Sequence, residues 1–171
     1  MKRNIFLASL LLAGCTVTFP VIPLTNYIPV HSELSQSKCN NKVGISQVKF
    51  EDIREQNNRS SPQTYIYAED GFIDSIKRAG LYSEKSPISV TIKLRKLDWP
   101  AEIYESDIEY IVSNKSTKQT SKFTFKGNCS IEGDNASIGH SSDVLGCTIR
   151  KNYAKFINHI SMPSKENLVC K

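Results

Sequence analysis

The sequence lacks the short motifs from which metal sites and hydrolase sites are usually recognised. It contains three histidines, which lie far apart and form neither an HExxH nor an HxH pattern: His31, His140 and His159. No serine stands in a GxSxG motif, and no two cysteines have the CxxC spacing of a zinc site. Local motifs therefore predict no metal, no cofactor and no catalytic residue.

Long apolar runs are missing as well. The most apolar stretch, Ile5 to Leu12, is too short to span a bilayer, because a helix needs roughly 20 apolar residues to do so. The basic pair Lys2-Arg3 precedes this stretch, and the small residues Ala13-Gly14 follow it. This arrangement is typical of a secretion signal peptide. We therefore expect residues 1–14 to be removed and the chain to be exported.

A large net charge is also absent. The 22 Lys and Arg residues and 17 Asp and Glu residues give a formal charge of +5, and removal of Lys2 and Arg3 with the signal leaves 20 against 17, or +3. So small a surplus on an exported chain gives no indication of nucleic-acid binding. The residues that remain, 171 − 14 = 157, suit one domain with its own hydrophobic core.

The last four residues of this N-terminal stretch, Leu12-Ala13-Gly14-Cys15, resemble the lipobox of bacterial lipoproteins. The enzymes that read a lipobox acylate its cysteine and cleave just before it. The resemblance implies a mature chain that begins at lipidated Cys15 and is held at a membrane by several acyl chains. An aspartate after the cysteine would imply the inner membrane; Thr16 stands there, so the resemblance implies the outer membrane, with the domain facing the periplasm. The alternative is an ordinary signal peptide in which Cys15 has no role.

Four further cysteines remain in the exported part: Cys39, Cys129, Cys147 and Cys170. An even number in an oxidising compartment predicts two disulfides, for which three pairings exist. Cys39 and Cys170 lie near the two ends of the folded part, whereas Cys129 and Cys147 flank one loop. We therefore expect the pairs Cys39–Cys170 and Cys129–Cys147.

Residues 15–38 contain Pro20, Pro23 and Pro29, which exclude a helix and disfavour a central strand. The segment is predicted to be an extended tether that joins the anchor to a domain of residues 39–171. Its apolar side chains are more numerous than a solvated linker needs. They favour packing against the chain's own domain over packing against a partner.

Hydrophobic periodicity predicts the order strand, helix, three strands, helix in this domain. Ser61-Pro62 offers one start for the first helix, but Gly71 weakens its middle and favours a start near Ala68, with an end at Gly80. Ser141 or Ser142 can cap the second helix, and Met162-Pro163 stops it. The strands are predicted at residues 42–50, 87–99, 104–112 and 121–126. This order predicts an α+β fold: a four-stranded, mainly antiparallel sheet with two helices packed on one face, preceded by the extended tether.

The outward-facing side chains of the last three strands form rows of alternating charge. The predicted rows are basic (Lys93, Arg95), acidic (Glu105, Asp107, Glu109) and basic again (Lys122, Lys126). Neighbouring antiparallel strands can pair such rows across an exposed face. The rows therefore support the order in which the strands are placed.

The element order is similar to that of small outer-membrane accessory lipoproteins, among them the lipoprotein that plugs the lipopolysaccharide-export barrel and several transport auxiliary lipoproteins. The similarity covers about 120 residues and no side-chain motif, so it bears on fold more than on function. It implies a lipid-anchored accessory or binding protein without catalytic activity, which docks an envelope protein or another envelope component. The first alternative is an envelope hydrolase whose catalytic residues meet only in the fold. The second is a purely structural or surface-antigen role.

Overall fold

The chain folds into a sheet layer and a helix layer. A computed structural model describes residues 22–35, 43–54, 66–98, 103–130, 141–165 and 167–170. In chain order the elements are two 3₁₀ helices (Leu24–Tyr27 and His31–Glu33), strand β1 (Gln47–Asp52), helix α1 (Ala68–Arg78), strands β2 (Ile88–Asp98), β3 (Ile103–Asn114) and β4 (Thr120–Ser130), and helix α2 (Ser141–Ile160).

The four strands form one sheet in the order β1-β2-β3-β4. The pairs β2–β3 and β3–β4 are antiparallel, whereas β1 is parallel to β2. Helix α1 lies in the crossover connection that a parallel pair needs. The predicted α+β class with a mainly antiparallel four-stranded sheet is confirmed.

The first strand begins later than predicted. Gly44 has a φ of 72°, and Ile45 makes only an isolated bridge to Tyr82, so the regular ladder of β1 starts at Gln47 instead of residue 42. Helix α1 begins at Ala68, as the position of Gly71 predicts. The possible earlier start at Ser61-Pro62 lies outside the described residues.

Strand β2 contains a bulge at Arg95. The register with β3 shifts between Leu94 and Lys96, so Arg95 has no residue opposite it. Beyond the bulge, Leu97 is buried, whereas Lys96 lies opposite Asp107. Arg95 is therefore an extra exposed residue, and Lys96 takes the place that Arg95 was predicted to hold in the basic row.

The hydrophobic core lies between the sheet and the two helices. Its centre is an aromatic group in which the rings of Phe156 and Tyr110 stack with centroids 4.0 Å apart. Phe72 of α1 contacts both Phe156 and the edge of Tyr153, with centroid distances of 5.8 and 5.0 Å. These side chains are fully buried. They join both helices to the same face of the sheet, as predicted.

Residues 22–35 belong to the helix layer. The first 3₁₀ helix lies between α1 and α2, and Ile22 and Tyr27 are completely buried. Both α-helices have a glycine where the segment crosses them. A Cβ on Gly71 would overlap the Cβ of Tyr27, and a Cβ on Gly146 would lie 2.5 Å from the Cβ of Asn26. Gly71, which has a low helix propensity, therefore allows Tyr27 to lie directly against the backbone of α1.

Polar contacts hold the same segment along α2. Asn26 Nδ2 donates to Asp143 Oδ1 at 2.8 Å in the first turn of the helix. Asn158 Nδ2 donates to the backbone oxygen of Glu33 at 2.8 Å near its last turn, and Arg150 Nε lies 3.3 Å from Glu33 Oε2. The segment thus packs against its own domain, which is the interpretation that its apolar side chains favoured.

The prediction of an extended conformation does not hold for the two 3₁₀ helices in this segment. The helix Leu24–Tyr27 lies between Pro23 and Pro29, and His31–Glu33 follows Pro29. No proline therefore stands inside either helix, and the missing proline N–H groups break no helical hydrogen bond. Proline spacing alone therefore excluded an α-helix here, but not a single 3₁₀ turn.

A disulfide joins Cys129, near the end of β4, to Cys147 in α2. This is the pairing that we expected for these two residues. The bond closes a loop with a sequence separation of 18, which the loop-entropy model values at about 3 kcal/mol. Cys170 is also disulfide-bonded. Cys39 and Cys15 lie outside the described residues, so the Cys39–Cys170 pair and the lipidation of Cys15 stay predictions.

Candidate interaction surface

The face of the sheet that the helices leave uncovered carries charged side chains in rows. The acidic row on β3 lies between basic rows on β2 and β4. Lys93 lies opposite Glu109, and Lys126 lies opposite Asp107. Lys126 Nζ is 2.8 Å from Glu105 Oε1. The predicted alternation of basic and acidic rows is confirmed.

Strand β1 extends these rows by a position that the sequence analysis did not assign. Glu51 lies opposite Lys93, and Lys93 Nζ is 3.9 Å from Glu51 Oε2. Within β1, Lys49 Nζ lies 2.7 Å from Glu51 Oε1. Exposed ion pairs of this kind stabilise a fold little, because water and salt screen them. Their contribution to the stability of the fold is therefore small.

We expect Lys49→Ala to raise the carboxyl pKa of Glu51 toward its ordinary value. The hydrogen bond from Lys49 holds the pKa of Glu51 below that value, against the effect of partial burial, and the positive charges of Lys49 and Lys93 add to it. Because the pKa is lowered on folding, this interaction stabilises the fold above the ordinary carboxyl range and is lost as the pH falls through the lowered pKa.

An NMR titration of the Glu51 carboxyl carbon measures this shift. Lys93→Ala is the matched control, and it should change the titration less, because its ammonium group is 3.9 Å away. A Glu51 titration that Lys49→Ala leaves unchanged would contradict the ion pair.

Strand β4 is one edge of the sheet. It pairs with β3 on one side, and no described strand lies on its other side. Lys155 Nζ in α2 donates a hydrogen bond to the backbone oxygen of Lys126 at 2.6 Å, from which we infer that this oxygen faces the outer edge. Backbone groups of alternate residues point to the same side of an antiparallel strand. Those of Lys122 and Thr124 therefore face the same outer edge.

The opposite edge of the sheet is protected. Strand β1 has six residues, against eleven in β4. The backbone N–H of Phe50 donates to Glu69 Oε2 of helix α1 at 2.9 Å. Short edge strands and covering helices are common means of preventing unwanted strand pairing. Strand β4 has a comparable contact from Lys155 at Lys126, so the two edges differ in length, and β4 offers the longer row of backbone groups to another strand.

Beneath the sheet, a group of buried polar side chains fixes α2 in place. Asn152 Oδ1 accepts a hydrogen bond from the Tyr110 hydroxyl at 2.9 Å, and Asn152 Nδ2 donates to the backbone oxygen of Phe125 at 2.7 Å. Ser106 Oγ donates to the backbone oxygen of Thr148 at 3.0 Å. Burial raises the pKa of Tyr110 well above its ordinary value, with a smaller contribution from Tyr153. The Tyr110 hydroxyl thus stays protonated and acts as a structural donor.

The histidines within the described residues are exposed. His31 lies in the second 3₁₀ helix, and His159 lies beside Phe123, with ring centroids 4.8 Å apart. Neither imidazole has a hydrogen bond or ion pair within the described part of the chain, and His140 lies outside it. The same residues contain no group of three metal-ligating side chains. They therefore supply no histidine-based pair to the hydrolase alternative.

No described helix is both long and apolar enough to cross a membrane. No protein family model matches the chain, and no curated protein is similar enough in sequence to count as a relative. Among solved structures, the chain is similar to one described as "Crystal structure of uncharacterized protein", with 9% sequence identity and a TM-score of 0.42. That match covers 84% of this chain and 95% of the other. At this level, the similarity contributes nothing to the functional argument.

Proposed function

We propose that the protein is a lipid-anchored accessory protein of the bacterial envelope, which docks an envelope protein and has no catalytic activity of its own. The anchor is Cys15, and the membrane is the outer membrane, with the domain in the periplasm. The observation that carries the docking role is the uncovered, charged face of the sheet, whose edge strand β4 is eleven residues long and carries lysines. The lipobox resemblance supports the anchor.

The position of residues 22–35 also supports docking through the sheet. This segment lies between the two helices and contacts both, so part of the helical side is occupied by the chain itself. The opposite side of the sheet is broad, charged and uncovered by the described residues. A partner protein with oppositely charged side chains can pair with the basic and acidic rows of that face.

The anchor is tested by the intact mass of the protein purified from membranes, beside that of a Cys15→Ser variant. We expect the wild-type mass to show loss of residues 1–14 and addition of acyl chains, and the variant to lack the acyl chains. A wild-type protein that carries no acyl chain would contradict the anchor.

Docking is tested by placing a photo-crosslinking amino acid at Thr91 or Thr124 on the outer face of the sheet, with Arg78 on α1 as the matched exposed control. We expect crosslinks to a defined envelope protein in living cells from the sheet positions, and none from position 78. If neither sheet position gives a crosslink, the docking role is wrong.

A further inference from the structure

We infer that the outer edge of β4 binds an extended segment of the partner as a fifth strand, and that this segment alternates acidic with apolar side chains. The inference rests on the proposed function and names the class of partner segment that it requires. Addition of a peptide to a sheet edge takes its affinity from main-chain hydrogen bonds and its specificity from alternate side chains. The surroundings of β4 indicate both kinds of side chain in the segment, the acidic and the apolar.

The acidic part follows from the order of charged rows. The acidic row of β3 has a basic row on both sides, whereas the basic row of β4 has an acidic row on one side only. Lys122 lies opposite Ile111 and has no carboxylate partner among the described residues. Lys126, in contrast, already forms an ion pair with Glu105 of β3. Acidic side chains on a fifth strand would continue the alternation and compensate Lys122, because opposite charges on neighbouring strands attract.

Lys155 adds positive charge at the same edge. Its ammonium group now donates to the Lys126 backbone oxygen, which is the acceptor that an added strand would use. An incoming backbone N–H can replace this bond and release the ammonium group toward an acidic side chain of the segment. The edge is thus occupied at Lys126 by an exposed, flexible side chain, which an added strand can displace.

The apolar part follows from the inner side of β4. Phe123 and Phe125 point toward the helix layer and are only partly buried. The ring of His159 lies beside both, with centroid distances of 4.8 and 5.6 Å. Successive side chains of a strand point to opposite faces. Every second residue of an added strand would therefore lie next to these rings, where apolar side chains are favoured.

A second copy of this chain does not fit the edge in the same way. If two β4 edges paired antiparallel about Thr124, Lys122 of one copy would lie opposite Lys126 of the other. Like charges placed directly opposite are destabilising, and lysines on an edge strand are a known protection against such self-pairing. The charge of the edge therefore favours an acidic partner strand over a second β4.

The test uses the full-length protein in detergent and a fluorescent synthetic peptide that alternates glutamate and valine. We expect this peptide to bind and a matched lysine–valine peptide not to bind. Lys122→Glu should weaken binding about fivefold to tenfold, because the charge reversal removes one exposed attraction and adds a repulsion of similar size. Lys85→Glu, the same change at an exposed turn, should leave binding unchanged. N-methylation of alternate peptide nitrogens should abolish binding, because it removes main-chain donors without changing charge.

Thr124→Pro provides a second, charge-neutral variant. Proline is tolerated on an edge strand where the lost N–H faces away from the sheet, so the variant should keep its fold by circular dichroism and lose the peptide. Equal binding of the N-methylated peptide would show charge attraction without strand addition and overturn the inference, as would binding unaffected by Lys122→Glu. In cells, crosslinks from position 91 but not from 124 would refute the β4 edge while leaving the docking role intact.

Discussion

Gly127→Ala is expected to lower the free energy of unfolding by about 3 kcal/mol, the upper end of what overpacking usually costs. A Cβ at this position would overlap the backbone oxygen of Thr148 in α2 and would lie 2.9 Å from both the Asn152 nitrogen and the Ser106 Oγ. Two of these three atoms belong to the helix backbone and cannot rotate away. Helix α2 would have to move off β4, and the hydrogen bonds beneath the sheet would be strained.

Urea unfolding followed by circular dichroism measures this loss, provided that the dependence on denaturant is unchanged. Asn128→Ala is the control, because Asn128 is the next residue of the same strand and is exposed. It should change stability by less than about 0.5 kcal/mol. A Gly127→Ala variant as stable as the control would show that α2 does not pack on β4 as closely as the structure describes.

Phe156→Ala is expected to cost about 3–5 kcal/mol, the usual range for removing a buried phenylalanine. Phe156 is fully buried, stacks on Tyr110, and has further rings around it, Phe72 and Phe125, at centroid distances of 5.8 and 6.2 Å. These surrounding rings are contributed by helix α1 and by strands β3 and β4. The cavity cannot collapse by movement of a single side chain, so the cost should lie in the upper half of the range.

The comparison variant is Phe123→Ala, which removes the same group from a partly buried position at the edge strand. It should cost less than half as much, because part of its ring already faces water. If the two variants were equally destabilised, the core would extend to the edge of β4, and an added strand would have no exposed ring to cover.

Much of the fold was predictable, because each predicted element depends on local periodicity. The alternation from Ile88 to Leu94 and the helical spacing around Phe156 require no knowledge of the rest of the chain. The bulge at Arg95 was not predictable in this way, since a run of basic and apolar residues fits both registers. The parallel direction of β1 was also beyond local pattern, because it depends on where α1 returns the chain.

The candidate surface likewise has features that local sequence predicts and features that depend on distant parts of the chain. The charged rows were read from alternation, since residues such as Glu105 and Glu109 must share a face of the strand. Which row lies at an edge depends on strand order, which is a long-range property. The covering of Phe50 by Glu69 and the contact of Lys155 with β4 are likewise long-range. A helix residue with a long polar side chain gives no local signal of the strand that it reaches.

The packing of residues 22–35 into the helix layer would limit how far the domain can lie from a membrane in which Cys15 is anchored. If Cys15 carries the acyl chains, the chain segment from Cys15 to Ile22 can span at most about 25 Å, at about 3.5 Å per residue. Ile22 lies against Gly146, whose neighbour Cys147 is bonded to Cys129 at the end of β4. With Cys15 anchored in this way, the Cys129 end of β4 would lie near the bilayer, which would restrict the height at which a partner meets the docking edge.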